Sequence, residues 1–488
     1  MSDSDQSSKK TVVVIGAGPV GLAAAAHLLE RGLEPVVLEA GDRAADAVSD
    51  WGHVRLFSPW RYNIDPAARR LLEATDWQEP DPDALPTGRE LVEKYLRPLA
   101  DTQQLTHRVQ TDRRVLGVTR VGMDKVRSLG RAERRFLVRA ATAAGEIHDF
   151  TADAVIDASG VWGRTNPLGA AGMAAPGEEA AASFLTGPLP DVLGRERDRF
   201  AGRHTLVVGM GHSAANSLLD LAELASAERG TRITWVIRSA SAARLYGGGD
   251  ADGLPARGAL GSRLKDLVER GDIALVREFT ITGFEVPAVC CGSQSGPLSV
   301  HGQTPQGAQK IDADNVVAAT GFRPDLDMLR EIRLGLDPGV EAPVALGPMI
   351  DPNAHSCGTV PPHGERELAH PETGFYIAGI KSYGRAPTFL LATGYEQVRS
   401  IAAALAGDRA AADAVELELP ETGVCSTDLP LAEDSESEAS GCCAPAPAPA
   451  QQGFATGFEH GYAGEAARND SPPQTPCCAP ASSAETAK

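Results

Sequence analysis

Three glycines and one carboxylate carry the strongest chemical signal in this chain. In "TVVVIGAGPVGLAAAAHLLERGLEPVVLEAGDR", Gly16, Gly18 and Gly21 fit G-x-G-x-x-G, and Glu39 closes the second apolar run. Gly16 permits a tight turn, Gly18 lets the backbone approach a pyrophosphate, and Gly21 lets helix and strand pack closely. The helix N-terminus then presents unpaired N–H groups to phosphates. The spacing to Glu39 suits a carboxylate that holds a ribose hydroxyl pair. Strand, glycines, helix, strand and acid occur in order, which predicts a dinucleotide site; a glycine-rich turn without a ligand is the alternative.

The stretch "RHTLVVGMGHSAANSLLDLAELASAERGTRITWVIRSAS" repeats the plan. Gly209 and Gly211 make the turn, Ala214 takes the third small position, and the helix carries Ser213 and Asn216. This time the second strand ends in Arg238 and Ser239 rather than in an acid. A basic group there suits a ribose 2′-phosphate, so this site is expected to prefer NADPH over NADH. The alternative is that Arg238 is a solvated surface charge.

The elements around these turns have their own order. Two strands run into A-x-G, in "ADAVIDASGVWGRTNP" and "DNVVAATGFRPDLDML", and "ETGFYIAGIKSYGRAPTFLLATGYEQVRSIAAALAG" follows. Residues 11 to about 406 thereby resemble the flavoproteins with two dinucleotide-binding domains. Within that group they are most similar to the flavin-containing monooxygenases and their N-hydroxylating relatives. The G-x-G-x-S-A-x-N form of the second turn carries this likeness, as does "DWGHVRLFSPW", which resembles the stretch by which those relatives approach the flavin ring. The resemblance implies FAD at the first turn, NADPH at the second, the Val115 backbone beside the adenine, and Gly379 near the flavin. It implies that NADPH reduces FAD, whose electrons pass to oxygen or to a thiol or metal acceptor. A small-molecule substrate is expected, with a homodimer as a candidate assembly.

The chain also departs from the family pattern. Gly379 is followed by Ile380 and Lys381, where the family has G-D at the flavin ribitol chain, so that contact must differ. The G-x-W-x-x-N/H-x-Y-P stretch of Baeyer–Villiger enzymes is missing. No general acid or base stands out, and the catalytic residue is left unknown. His53 and Arg55 lie in the flavin-approaching stretch, with structural pairing as the alternative. Lys381, Tyr383 and Arg385 are candidates for bonds to flavin or substrate, with a self-satisfied loop as the alternative.

The expected fold class is α/β: an FAD-binding Rossmann-like domain with an inserted NADPH-binding Rossmann-like domain and a mostly disordered C-terminal tail. The expected segments are a disordered 1–10, FAD domain 11–200 resumed at 325–406, NADPH domain 201–324, and tail 407–488. From Asp408 onward fourteen Asp/Glu stand against three Lys/Arg, so the tail holds more than half of the net charge of -19. Its "APAPAPAQQ" and "PLAEDSESEASG" read as linker.

Six of the eight cysteines form adjacent pairs, two of them in this tail: Cys442 with Cys443 and Cys477 with Cys478. Neighbouring thiols are soft ligands that suit As(III), Hg(II), Cu(I) or Zn(II). The tail pairs are therefore candidate metalloid ligands, in a chain that resembles the flavoproteins associated with arsenic resistance. The expected function is an FAD- and NADPH-dependent monooxygenase acting on a trivalent arsenical or similar soft nucleophile. The alternatives are a flavin reductase with tail thiols as acceptor, and a metalloid-binding protein on a flavoprotein scaffold. The reductase lacks its C-x4-C and C-x-x-C dithiols, and two dinucleotide sites argue against mere binding. Cys290 and Cys291 read as buried packing residues, and Cys357 and Cys425 have no neighbouring thiol.

The acidic balance excludes a nucleic-acid footprint. No apolar run approaches the ~18 residues of a membrane span. The polar "MSDSDQSSKK" has no apolar signal core. A cytoplasmic location is expected.

Overall fold

Two parallel sheets of five strands each organise the chain, and both grow from the same local plan. The computed structural model describes residues 9–246, 255–290, 293–294, 296–352, 360–386 and 389–417. The tail pairs Cys442, Cys443, Cys477 and Cys478 lie outside them, as do Cys291, Cys357, Cys425 and the side chain of Cys290.

Strands β1 (Thr11–Ile15), β2 (Glu34–Leu38), β3 (Val109–Gln110), β4 (Arg114–Arg120), β5 (Phe136–Ala141), β6 (Ile147–Ala152) and β7 (Ala154–Asp157) build the first unit. The second comprises β8 (Leu185–Thr186), β9 (His204–Val208), β10 (Arg232–Val236), β11 (Ala274–Val276), β12 (Thr280–Glu285), β13 (Val289–Cys290), β14 (Ser293–Gln294), β15 (Leu298–Thr304), β16 (Gly307–Ala313) and β17 (Asn315–Ala318). A last strand, β18 (Phe375–Ile377), returns to the first sheet. The sheet orders are β18-β7-β1-β2-β3 and β11-β10-β9-β17-β8, with every pairing parallel. The nuclei β7-β1-β2-β3 and β17-β9-β10-β11 are the same four-strand arrangement made twice, and each carries an antiparallel three-stranded sheet, β4-β5-β6 or β12-β15-β16.

The sequence explains these strands. "TVVVI" is apolar at each position after Thr11 because layers cover both faces of the sheet, and Val12 to Ile15 are at most 4% exposed. The helix Pro19–Glu30 is apolar all round for the same reason, with Ala23 to Ala26 fully buried. It packs on β2, on the helix Pro66–Glu73 and on the helix Leu391–Leu405. Gly32 (φ +72°) stops it: its N–H donates to Leu29 O at 3.0 Å, and Leu33 N–H reaches back to Leu28 O at 2.9 Å.

Two expected boundaries move. The edge strand β8 pairs with β17, and Leu168, Ala175 and Ala181 pack in the core beneath β12 and β15. Parts of the stretch expected to end the FAD domain's first segment thus pair and pack with the second sheet; only long-range pairing, which has no local signature, assigns them. The body also continues past 407. Asp408 caps the helix Arg409–Asp413 by accepting from Ala411 N–H at 3.1 Å. Arg366 grips Asp413 at 2.7 Å, and Ala412 is buried. A stretch expected in the mostly disordered tail is thus a docked helix. Among the described residues no helix is long and apolar enough to cross a membrane.

Candidate functional site

The first glycine turn is built by contact. Gly16 (φ +97°) abuts the end of β7, where an added Cβ would lie 2.8 Å from Ala158 O and 2.9 Å from the Ser159 Cα. A Cβ on Gly21 would lie 1.9 Å from Gly16 O, so helix and turn touch through it. At Gly18, the N-cap of the helix, a Cβ would meet nothing within 4 Å. That open face is a cradle bounded by helix N–H groups, the room a pyrophosphate needs. Glu39 stands at its rim: Oε2 accepts from Ala17 N–H at 2.7 Å and Oε1 from Gly41 N–H at 2.9 Å. Arg113 N–H donates to Glu39 O at 2.7 Å, which brings the start of β4, with half-buried Val115, alongside. Arg113 Nε is buried there without a hydrogen-bond partner among the described residues.

The second turn repeats the geometry. A Cβ on Gly209 (φ +129°) would lie 2.1 Å from Ala319 O, while one on Gly211 would meet nothing within 4 Å. Trp235 Nε1–H fixes the turn by donating to Gly209 O at 2.7 Å. Ala214 is fully buried, whereas Ser213 and Asn216 stay half-buried on the helix His212–Ala227. β9 and β10 lie in register, Val208 beside Val236, so Arg238 and Ser239 emerge next to the turn, both exposed. Arg238 Nη1 donates to Ala170 O at 2.9 Å. The structure thus gathers Gly16, Gly18, Gly21, Glu39 and Val115 at one turn and Gly209, Gly211, Ser213, Asn216, Arg238 and Ser239 at the other.

The segment 50–60 lies against both units. Trp162 Nε1–H donates to Asp50 Oδ2 at 3.0 Å, and the Phe57 ring rests 5.3 Å from the ring of His212, the first residue of the second-turn helix. His53 and Arg55 have separate structural partners. Arg55 donates to Leu85 O at 2.7 Å. His53 sits beside the Pro190 carbonyl and Asp191; burial pulls its pKa below the usual histidine value against the pull of Asp191. Nearby Asp220 is pushed up to about 6, first by burial and then by Glu223 and Asp191. The chain crosses between units at Thr165, bridged to Phe322, where Asn166 Nδ2 donates to Thr320 O at 3.2 Å and Thr320 Oγ1 donates to Asn166 O at 2.6 Å.

The third wall comes from "GIKSYGR". Gly379 (φ +70°) donates its N–H to Gln397 Oε1 at 2.8 Å, and a Cβ there would press on Val20 of the first-turn helix at 3.2 Å. Gln397 Nε2 donates to Ser382 Oγ and to His363 Nε2, both at 2.9 Å, and His363 Nδ1–H donates to Pro361 O at 3.0 Å. Burial keeps His363 below the usual histidine pKa, consistent with this neutral tautomer. Tyr383 is buried between His363 and Phe389, and burial pushes its hydroxyl upward. Arg385 is exposed. Lys381 is fully buried, 2.7 Å from Asp157 Oδ2. For Lys381 the loop satisfies itself. Of the groups that hold this loop, Gln397 is not singled out by the sequence. The Asp-Ala-Ser-Gly stretch and Lys381 each stand out there, but nothing local joins them.

Among the described residues no group of three His, Cys, Asp or Glu is placed to hold a metal ion. Both cradles fit the dinucleotides that the glycines imply: a helix N-terminus faces open space at Gly18 and again at Gly211.

Comparison with known proteins agrees. A bacillithiol disulfide reductase from Bacillus cereus aligns with a TM-score of 0.58 at 21% identity, over 82% of this chain and 99% of that one. An FAD-bound cadaverine monooxygenase of desferrioxamine biosynthesis, from Erwinia amylovora, gives 0.56 at 13% identity over 88% and 100%. An ornithine N-hydroxylase from Kutzneria sp. 744 gives 0.53 at 16% over 82% and 100%. At such identities the likeness is one of fold. No curated relative matches in sequence. The family model for pyridine nucleotide-disulphide oxidoreductases, however, matches residues 13–344, spanning both glycine turns. With its two Rossmann-like units and two cradles, the chain belongs to that family and is an FAD-dependent oxidoreductase whose cofactors are FAD and a pyridine nucleotide.

Proposed function

We propose that the chain is an NADPH- and FAD-dependent monooxygenase that oxidises a soft nucleophile, with a trivalent arsenical as the substrate class. One observation carries the choice of oxygen as acceptor. No cysteine precedes Cys290, so neither the stretch after the first turn nor the second turn holds a thiol to take electrons. In the overall reaction NADPH, one proton, oxygen and the substrate give NADP+, water and the substrate with one added oxygen.

The chemistry that FAD supplies when bound is two-electron transfer from reduced nicotinamide to an acceptor. The protein's own residues bind and orient. The helix N-termini at Gly18 and Gly211 receive pyrophosphates, and Glu39 exchanges its backbone donors for ribose hydroxyls. Arg238 and Ser239 receive the 2′-phosphate that separates NADPH from NADH. Val115 lines the adenine end of the FAD site, and Gly379 lets the loop before Lys381 close on the first-turn helix. Phe57 against His212 holds the segment 50–60 to the nucleotide turn, which couples the two sites mechanically.

Cys442, Cys443, Cys477 and Cys478 are the soft ligands that capture the arsenical, and their tether to the enzyme raises its local concentration. The test compares the full chain with one ended after Leu417, which retains the docked helix Arg409–Asp413. The shorter protein keeps its FAD and its NADPH-driven flavin reduction. It binds less arsenite and oxidises NADPH more slowly at limiting arsenite. If arsenite neither binds the full chain nor stimulates its NADPH oxidation, the arsenical reading fails; if the shorter protein loses FAD, the tail belongs to the flavin domain.

A further inference from the structure

The geometry points to Lys381 as the positioning residue of the FAD cradle, acting through Asp157 and Ser159 on the first glycine turn. Two residues after Gly379, the chain sends a lysine inward. Lys381 Nζ donates to Asp157 Oδ2 at 2.7 Å and to Ser159 Oγ at 3.0 Å. Asp157 Oδ1 accepts from Ser159 Oγ at 2.6 Å and from Ser159 N–H at 3.1 Å. Both charged side chains are 0% exposed. A buried pair of this kind stabilises little relative to an apolar substitute, so its presence asks for another reason.

The reason lies in what Ser159 touches. The wall against which Gly16 turns is Ala158 and Ser159, at 2.8 and 2.9 Å from a notional Gly16 Cβ. Ala158 N–H also donates to Ile15 O at 2.9 Å, and Ala378 N–H donates to Asp157 O at 2.9 Å. Three stretches far apart in sequence, at 15–16, 157–159 and 378–381, are thus fastened at one point. Lys381 closes that fastening with its side-chain cation. Loosening it lets the wall retreat and the turn lose the shape that receives a pyrophosphate.

This rests on the first turn being the FAD site. The experiment therefore begins with FAD binding by the purified full-length apoprotein, followed by flavin fluorescence, and with its thermal unfolding. If the parent protein takes up no FAD, the assignment of the site fails and this inference falls with it. Lys381→Met is expected to weaken FAD at least about tenfold, the size of a charge-assisted hydrogen bond, and to lower the unfolding temperature. The double variant Asp157→Leu with Lys381→Met removes both charges. It is expected to regain unfolding temperature but not FAD affinity, because Ser159 has lost its acceptor. Recovery of FAD affinity in the double variant would make the pair structural only and overturn the inference. Ser159→Ala keeps the ion pair and the fold, and serves where the other variants do not fold. It is expected to weaken FAD several-fold, and unchanged binding would equally overturn the inference.

Discussion

Arg238 stands one strand from the second glycine turn with its guanidinium exposed, held by the Ala170 carbonyl. Replacing it with alanine should raise KM for NADPH by about tenfold or more, the worth of a charged hydrogen bond to phosphate, and leave KM for NADH unchanged. Equal losses for both cofactors would return Arg238 to the solvent. Asp220 offers a different test. Its carboxyl is raised to about 6 by burial, then by Glu223 and Asp191, from 3.8. The folded state therefore binds the proton more tightly than the unfolded one. Stability from this group is present at low pH and is lost as pH rises from about 4 through 6. Asp220→Asn should raise the unfolding temperature at pH 8, worth up to ~3 kcal/mol, and change little at pH 4. An equal effect at both pH values would deny the shift. At this scale the glycines and Glu39 were legible, because their spacing within one strand–turn–helix–strand unit marks them, even though Gly16 and Gly209 turn against Ala158 and Ala319 from outside that unit. The Lys381–Asp157 pair was not, since 224 residues separate its members.

At the scale of elements, the helix Pro19–Glu30 distinguishes two uses of glycine. Gly21 is a packing contact, 1.9 Å from Gly16 O for an added Cβ, whereas Gly18 faces open space. Gly18→Ala should leave the apoprotein's unfolding temperature unchanged and weaken FAD strongly. Gly21→Ala should lose both stability and FAD. The reverse order, with Gly18→Ala the less stable apoprotein, would mean that the open face is not the ligand's. The strand–turn–helix–strand units were legible from apolar runs and glycines. The edge strand β8 was not, because a two-residue strand takes its identity from pairing with β17. The helix Arg409–Asp413 fell within the expected tail, since five residues carry no helical period of their own and Arg366 and Asp408 tie them down.

At the scale of the whole molecule, the chain repeats one dinucleotide-binding plan and joins the copies by two crossings near Asn166 and Thr320. The second unit sits within the first in sequence, and the segment 50–60 touches it through Phe57 and His212. Placing two cradles in one body serves electron transfer from a nicotinamide to a flavin, and the cysteine-free first 289 residues are in keeping with the oxygen acceptor proposed above. The direct test is oxygen uptake with 18O-labelled gas while arsenite is titrated against limiting NADPH. Arsenite is expected to speed NADPH oxidation, with one oxygen consumed per NADPH and one labelled atom entering the arsenic product. NADPH oxidation that ignores arsenite, or arsenate formed without the label, would contradict the monooxygenase proposal.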